Sequence, residues 1–284
     1  MPLRNVTETY QVETPPHAPK YKPAQDLVPP VDLTDPSVFS SRGGYTHDAF
    51  TRMREQAPVM WHPEQVGAGF WAVTSYDLVK QVELDPVTYS SQRGGILMSY
   101  GLPDTPRHPL LHASSLNSLI NLDRPYHTTL RMEHMQFFRP GYVAELRKRV
   151  DVQVNTLLDD MEKQGPVVDM VESFSAELPL FTLCEILGVP AEDRPKLVHW
   201  MHFLENSQYQ AQQEGLGNVT QEQVMTFMSE IQAMFEYGRH MLAKRRADPK
   251  EDLLSAIANV EIDGQPLSPE FLDGSWLLIV FAGN

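Results

Sequence analysis

The sequence predicts a mainly α-helical fold with one small β hairpin near its start, on three observations. From about residue 121 onward, apolar residues recur at spacings of three and four, as they do in helices that bury one face. Two short runs, "VMWH" and "GFWAVTS", are instead rich in aromatic and β-branched residues and are separated by "PEQVGA". Apolar residues make up 42% of the 284, enough for a sizeable core.

Residues 1–35 are proline-rich and poor in large apolar side chains, which predicts an extended arm ahead of a folded part over 36–284. "HDAFTRMREQA" reads as a helix stopped by Pro58, and the hairpin follows it. "SYDLVKQVELD" reads as another helix, with Ser75 as N-cap and Pro86 just past its end. Residues 88–120 are crowded with Gly, Pro and Ser and read as a long irregular loop, whose scattered Leu and Met suit a cover over something. Helices are then expected in "RPYHTTLRMEHMQFF", "GYVAELRKRVDVQVNTLLDDMEKQ", "SFSAELPLFTLCEILGV", "AEDRPKLVHWMHFLEN" and "QEQVMTFMSEIQAMFEYGRHMLAKRRAD". Residues 251–260 and a final segment from Pro269 complete the series, with breaks at Pro140-Gly141, Gly165-Pro166, Gly188-Val189-Pro190 and Asp263-Gly264. There is no internal repeat.

Bulk properties exclude several function classes. A net charge of −14 argues against nucleic-acid binding, which rests on Lys and Arg neutralising phosphates. The single cysteine, Cys184, excludes an intramolecular disulfide framework and reads as a small buried hydrophobe. The opening residues lack the apolar stretch of a signal peptide, and no apolar run approaches the roughly 20 residues that span a bilayer. A cytoplasmic protein without nucleic-acid or membrane partners is expected. The ten histidines show no paired spacing with a third ligand, so no metal site is assigned.

Two segments carry candidate chemistry. In "NLDRPYHTTLRMEHMQFFRP", Asp123 is placed to cap a helix starting near Pro125. His127 and Arg131, four apart, then share one face and suit a ligand carboxylate, although by itself such a pair reads first as an ordinary solvated helix surface. In "SWLLIVFAGN" the run Trp276–Ala282 is apolar and leads into Gly283 and Asn284, which alone would read as the C-cap of a buried helix.

The first segment resembles the C-helix signature of bacterial cytochromes P450, in which His-x-x-x-Arg holds the haem propionates. The usual Pro-Pro-Glu is replaced by Arg124-Pro125-Tyr126, and Arg139 stands where Thr or Ser is common. "FWAVTSYDLVKQVELDPVTYSSQRGG" is similar to the family's β1 hairpin, B helix and the start of its B–C loop, and "FSAELPLFTLCEILGVPAEDRPKLVHW" to its E helix and E–F approach. The last 43 residues, from Leu242, are similar to its G–H region, H helix and the first half of its I helix.

The resemblance implies a P450 fold running from helix A to mid-I, with haem b held at His127 and Arg131. It places Ala282, Gly283 and Asn284 at the oxygen groove. The axial cysteine is expected beyond residue 284, so the 284 residues alone are expected to be inactive. The implied activity is insertion of one atom of O2 into a hydrophobic molecule, such as a sterol, branched lipid, fatty acid or terpenoid. Electrons would come from a ferredoxin or flavodoxin and its NAD(P)H reductase, docking at Arg139, Arg147 and Lys148. The implied pocket takes Ile96, Leu97 and Met98 from the B–C loop, then Leu116 and Leu119. Met201, Phe203 and Leu204 come from the F–G segment, and Leu277 and Phe281 from the last helix. The alternative is a non-catalytic helical module with a hydrophobic ligand-binding pocket.

Overall fold

The computed structural model describes residues 31–33, 45–62, 70–93, 109–214, 220–262 and 264–282. The chain divides into two compact units, Met1–Pro106 and Arg107–Asn284.

In the first unit, α1 (Tyr45–Gln56) is followed by an antiparallel hairpin of β1 (Val59–His62) and β2 (Phe70–Val73). Ala49, Met53 and Ala57 recur every four residues and line one buried helical face. They pack on Met60 and Ala72, partners across the hairpin. Strand alternation sends the neighbouring pair, Trp61 and Trp71, to the other face, where their rings meet edge-on at 5.2 Å. The next helix, α2 (Tyr76–Leu84), has Ser75 at its N-cap position with extended backbone, but the hydroxyl makes no cap bond.

The second unit is almost wholly helical. A helix that the sequence hid, α3 (Pro109–Leu116), lies inside the stretch read as irregular. It is followed by α4 (Tyr126–His134), whose chain tightens into a 3-10 turn at Met135–Phe138. The long α5 (Pro140–Gln164), a π turn at Val171–Ser175, α6 (Glu177–Leu187) and α7 (Arg194–Glu214) come next. The unit ends with α8 (Gln221–Ala247), α9 (Leu253–Asn259), a minimal hairpin of β3 (Glu261–Ile262) and β4 (Gln265–Pro266), and α10 (Pro269–Ala282).

The main core forms where α6 to α10 converge. Leu187, Leu197, Met234, Phe235, Leu254 and Val280 are all fully buried within it. A buried polar lock fixes the α6–α7 turn. Gly188 ends α6 in the left-handed region (φ 75°), where a Cβ would overlap the carboxylate of Asp252. Arg245 of α8 donates from Nε to Asp252 Oδ2 (2.5 Å) and from Nη2 to the Gly188 carbonyl (2.6 Å). The other carboxylate oxygen of Asp252 caps α9 by accepting from the Ser255 amide at 2.8 Å. At the start of α8, Thr220 and Gln223 form a reciprocal capping box.

Candidate functional site

α4 carries the polar half of the candidate site. Its N-cap position is Pro125, with no side-chain cap bond. Asp123 enters instead through its backbone carbonyl, which accepts the His127 amide at 3.0 Å. Leu130, His134 and then Phe137 turn inward. His127 is half-buried and Arg131 exposed, stacked four apart beside that buried line. Neither is committed to an ion pair among the described residues. One turn further on, His134 is buried and its Nε2 has no hydrogen-bond partner among the described residues. Burial, and secondarily the Arg131 charge, hold its pKa down at about 4, so it stays neutral near pH 7.

The Tyr126 ring lies 6.2 Å from that of Phe271, which sets the start of α4 near the start of α10. α10 supplies the apolar half of the site. Its sequence is apolar nearly all round, as expected of a helix packed on several sides. On one side Gly274 lets it approach α3 so closely that a Cβ there would sit 2.6 Å from the Asn117 backbone. On another side Asp273, Trp276 and Val280, spaced three and four apart, are buried. Leu278 and Ile279 remain half-buried.

The other expected pocket residues fall as follows. Leu116 is buried at the end of α3, and Leu119 is half-buried just beyond it. Met201, Leu204 and Leu277 are sealed in the main core. Phe203 is half-buried and its ring stacks on Phe227 at 5.9 Å. Phe281 and Ala282 belong to the last turn of α10. Ile96, Leu97, Met98, Gly283 and Asn284 lie outside the described residues.

The basic residues read as a docking patch differ in how free they are. Arg139 is exposed at the N-cap of α5. Lys148 is paired with Glu145 at 2.7 Å, and Arg147 lies 3.8 Å from Asp151. His199, which has no acidic residue close in sequence, finds one in space: its Nε2 is 3.0 Å from Glu230 Oε2 across α7 and α8. No cluster of three His, Cys, Asp or Glu side chains forms a metal site among the described residues. Nor is any described helix long and apolar enough to cross a membrane. Cys184 is fully buried in α6, and desolvation pushes its thiol up to about 11.

Sequence reasoning missed the contacts that place α10. They rest on Gly238, Arg239, Asp273 and Gly274. The available signal was a glycine inside each of two strongly periodic helices, which points to close backbone approach.

No protein-family model matches the chain. Linalool 8-monooxygenase of Pseudomonas putida is 30% identical over 89% of this chain and 60% of its own length. Steroid C26-monooxygenase of Mycobacterium tuberculosis is 27% identical over 92% of this chain and 58% of its own length. Among solved structures, a Mycobacterium marinum cytochrome P450, CYP268A2, in complex with pseudoionone superposes with a TM-score of 0.73. It is 26% identical, and the match covers 94% of this chain and 62% of that one. The chain thus spans about three fifths of the length of the curated relatives it matches. A His-x-x-x-Arg pair on α4, an apolar α10 whose start approaches the start of α4, and these likenesses along nearly the whole chain agree: the protein belongs to the bacterial cytochrome P450 family.

Proposed function

We propose that the whole protein is a haem-thiolate monooxygenase acting on a hydrophobic molecule of the terpenoid or sterol class. The observation that carries the reading is the His127–Arg131 pair, which makes no ion pair among the described residues, on a helix whose Tyr126 ring lies 6.2 Å from that of Phe271 at the start of α10. The donor set fits a haem edge. A half-buried imidazole and an exposed guanidinium on one face can each meet a carboxylate, and Arg does so bidentately. An axial thiolate is not supplied by these residues, since Cys184 is sealed in the core with its thiol held protonated.

Bound haem with a thiolate ligand would supply dioxygen activation for insertion of one oxygen atom into a C–H bond, the other leaving as water with two electrons and two protons. This chain's own residues do the holding and the screening. His127 and Arg131 would fix the cofactor's carboxylates, and α10 presents an apolar wall that excludes water. The resemblance would put Ala282, Gly283 and Asn284 at the oxygen groove, where residues as small as Ala and Gly would leave room for dioxygen. The apolar residues of the expected pocket suit a hydrophobic substrate. Support for the substrate class comes from relatives named for linalool and steroid oxidation.

The two electrons are proposed to come from a ferredoxin-type partner. Arg139 is the freest of the three basic residues for its acidic surface.

The test is spectroscopic. The full-length gene product, reduced under carbon monoxide, should show the band of a thiolate-ligated haem, and linalool or a sterol should shift its Soret band to shorter wavelength. A full-length product that binds no haem would sink the proposal in favour of a non-catalytic binding module.

A further inference from the structure

α10 is attached to α8 by an unusually directional set of contacts. Gly238 forms a notch in α8, and the Trp276 indole fills it so closely that a Cβ at Gly238 would lie 2.5 Å from Trp276 Cδ1. The indole N–H donates to the Met234 carbonyl at 3.2 Å, one turn back along α8. The Tyr237 ring closes the notch, 5.8 Å from the indole centroid. One turn earlier on α10, the carboxylate of Asp273, itself only 4% exposed, is gripped by Arg239. Nε lies 3.0 Å from Oδ1 and Nη2 lies 2.5 Å from Oδ2.

An apolar contact alone lets two helices slide or roll at little cost. A notch with a fixed hydrogen bond, backed by a planar fork three residues away, resists both motions. The two points fall on neighbouring residues of α8, Gly238 and Arg239, and one turn apart on α10. They define the height of α10 along α8 and its rotation about its own axis. A helix is stiff over one to two turns, so whatever fixes Trp276 also fixes the segment ending at Ala282.

We infer that Trp276, seated in the Gly238 notch and backed by the Asp273–Arg239 pair, is a positioning residue that sets the height and rotation of the last turn of α10. The inference rests on the proposal above that this turn borders the oxygen site. It assigns Trp276 no contact with substrate or cofactor.

Two variants test it, Gly238→Ala, which pushes on the indole, and Arg239→Gln, which replaces the charged fork with a single amide donor still able to meet the buried Asp273 carboxylate. Amide hydrogen exchange of the protein should show Leu277–Ala282 exchanging several-fold faster in both, with the α6 and α9 amides within twofold of the parent. In the haem-loaded full-length protein, both should release a larger share of electrons as hydrogen peroxide rather than product. Unchanged exchange in Leu277–Ala282, or an equal rise throughout α6 and α9, would overturn the pin. Selective loosening of α10 with unchanged peroxide release would overturn the positioning role. If the full-length product takes up no haem, the proposed function fails instead, and the exchange result still decides whether Trp276 holds the turn.

Discussion

α10 and α4 carry the two halves of the proposed haem site, and they are held in opposite ways. α10 buries Phe271, Asp273, Gly274, Ser275, Trp276, Leu277 and Val280, and is fixed by a glycine contact on one side and a glycine notch with an ion pair on another. α4 buries only Leu130 and His134, and leaves the His127–Arg131 pair without an ion-pair commitment among the described residues. The helix whose backbone has to be placed accurately is clamped. The helix whose side chains are proposed to meet a charged ligand leaves them out of ion pairs among the described residues.

The largest effects should come from the clamped side. Trp276→Ala removes a fully buried indole and opens a cavity between α8 and α10, so a loss of about 4 kcal/mol is expected in urea unfolding. A loss below about 1.5 kcal/mol would mean that the clamp is not what orders α10. Arg245→Ala should cost a comparable amount, about 3–4 kcal/mol, because it strands the Asp252 carboxylate in the interior and leaves the Gly188 carbonyl short of a donor. The contrast is Lys148→Ala on α5. Its partner Glu145 is as exposed as the lysine, so the change should stay within about 0.5 kcal/mol.

On the open side the larger effect is one of pH. His134 has a pKa of about 4 in the native protein, against 6.5 for a solvated imidazole. Between those values the unfolded chain binds a proton that the native chain does not, so stability falls as pH drops from about 6.5 to about 4 and then levels off. The loss over that window should approach about 3 kcal/mol. Urea midpoints at pH 7 and pH 4.5 should therefore lie closer together in His134→Leu than in the parent. A parent and variant with the same pH dependence would show that His134 is not the buried neutral group described here.

The contrast between the helices also governs what could be read from sequence. The His127–Arg131 pair was legible because helical spacing alone places two residues four apart on one face. The all-round apolar character of Trp276–Ala282 likewise announced a buried helix. Neither α3 nor the Gly238 notch was legible. In α3 the pattern is diluted by Ser114 and Ser115 and by the Gly and Pro before it, and the helix is stabilised by contact with α10 rather than by propensity. The notch joins residues far apart in sequence, and a lone Gly says only that something comes close. Ser75 shows the converse: the right residue type stands at the N-cap, yet its hydroxyl makes no cap bond. The β3–β4 hairpin has two residues per strand, too few for any alternation to appear.

An equally small stability change is expected at Arg131, and it sharpens the comparison most. Arg131→Ala removes an exposed side chain with no ion pair among the described residues, so urea unfolding at pH 7 should move by no more than about 0.5 kcal/mol. Two other readouts should respond. Arg131 helps to keep His134 unprotonated, so its removal lets the His134 pKa rise and makes the acid-side loss of stability shallower. A carboxylate of bound haem would lose a charge-assisted, bidentate partner, so haem should dissociate at least tenfold faster from the full-length variant. A stability loss above about 1 kcal/mol at pH 7 would show that Arg131 holds the fold together, and the division between a clamped α10 and an open α4 would fail at its most exposed residue.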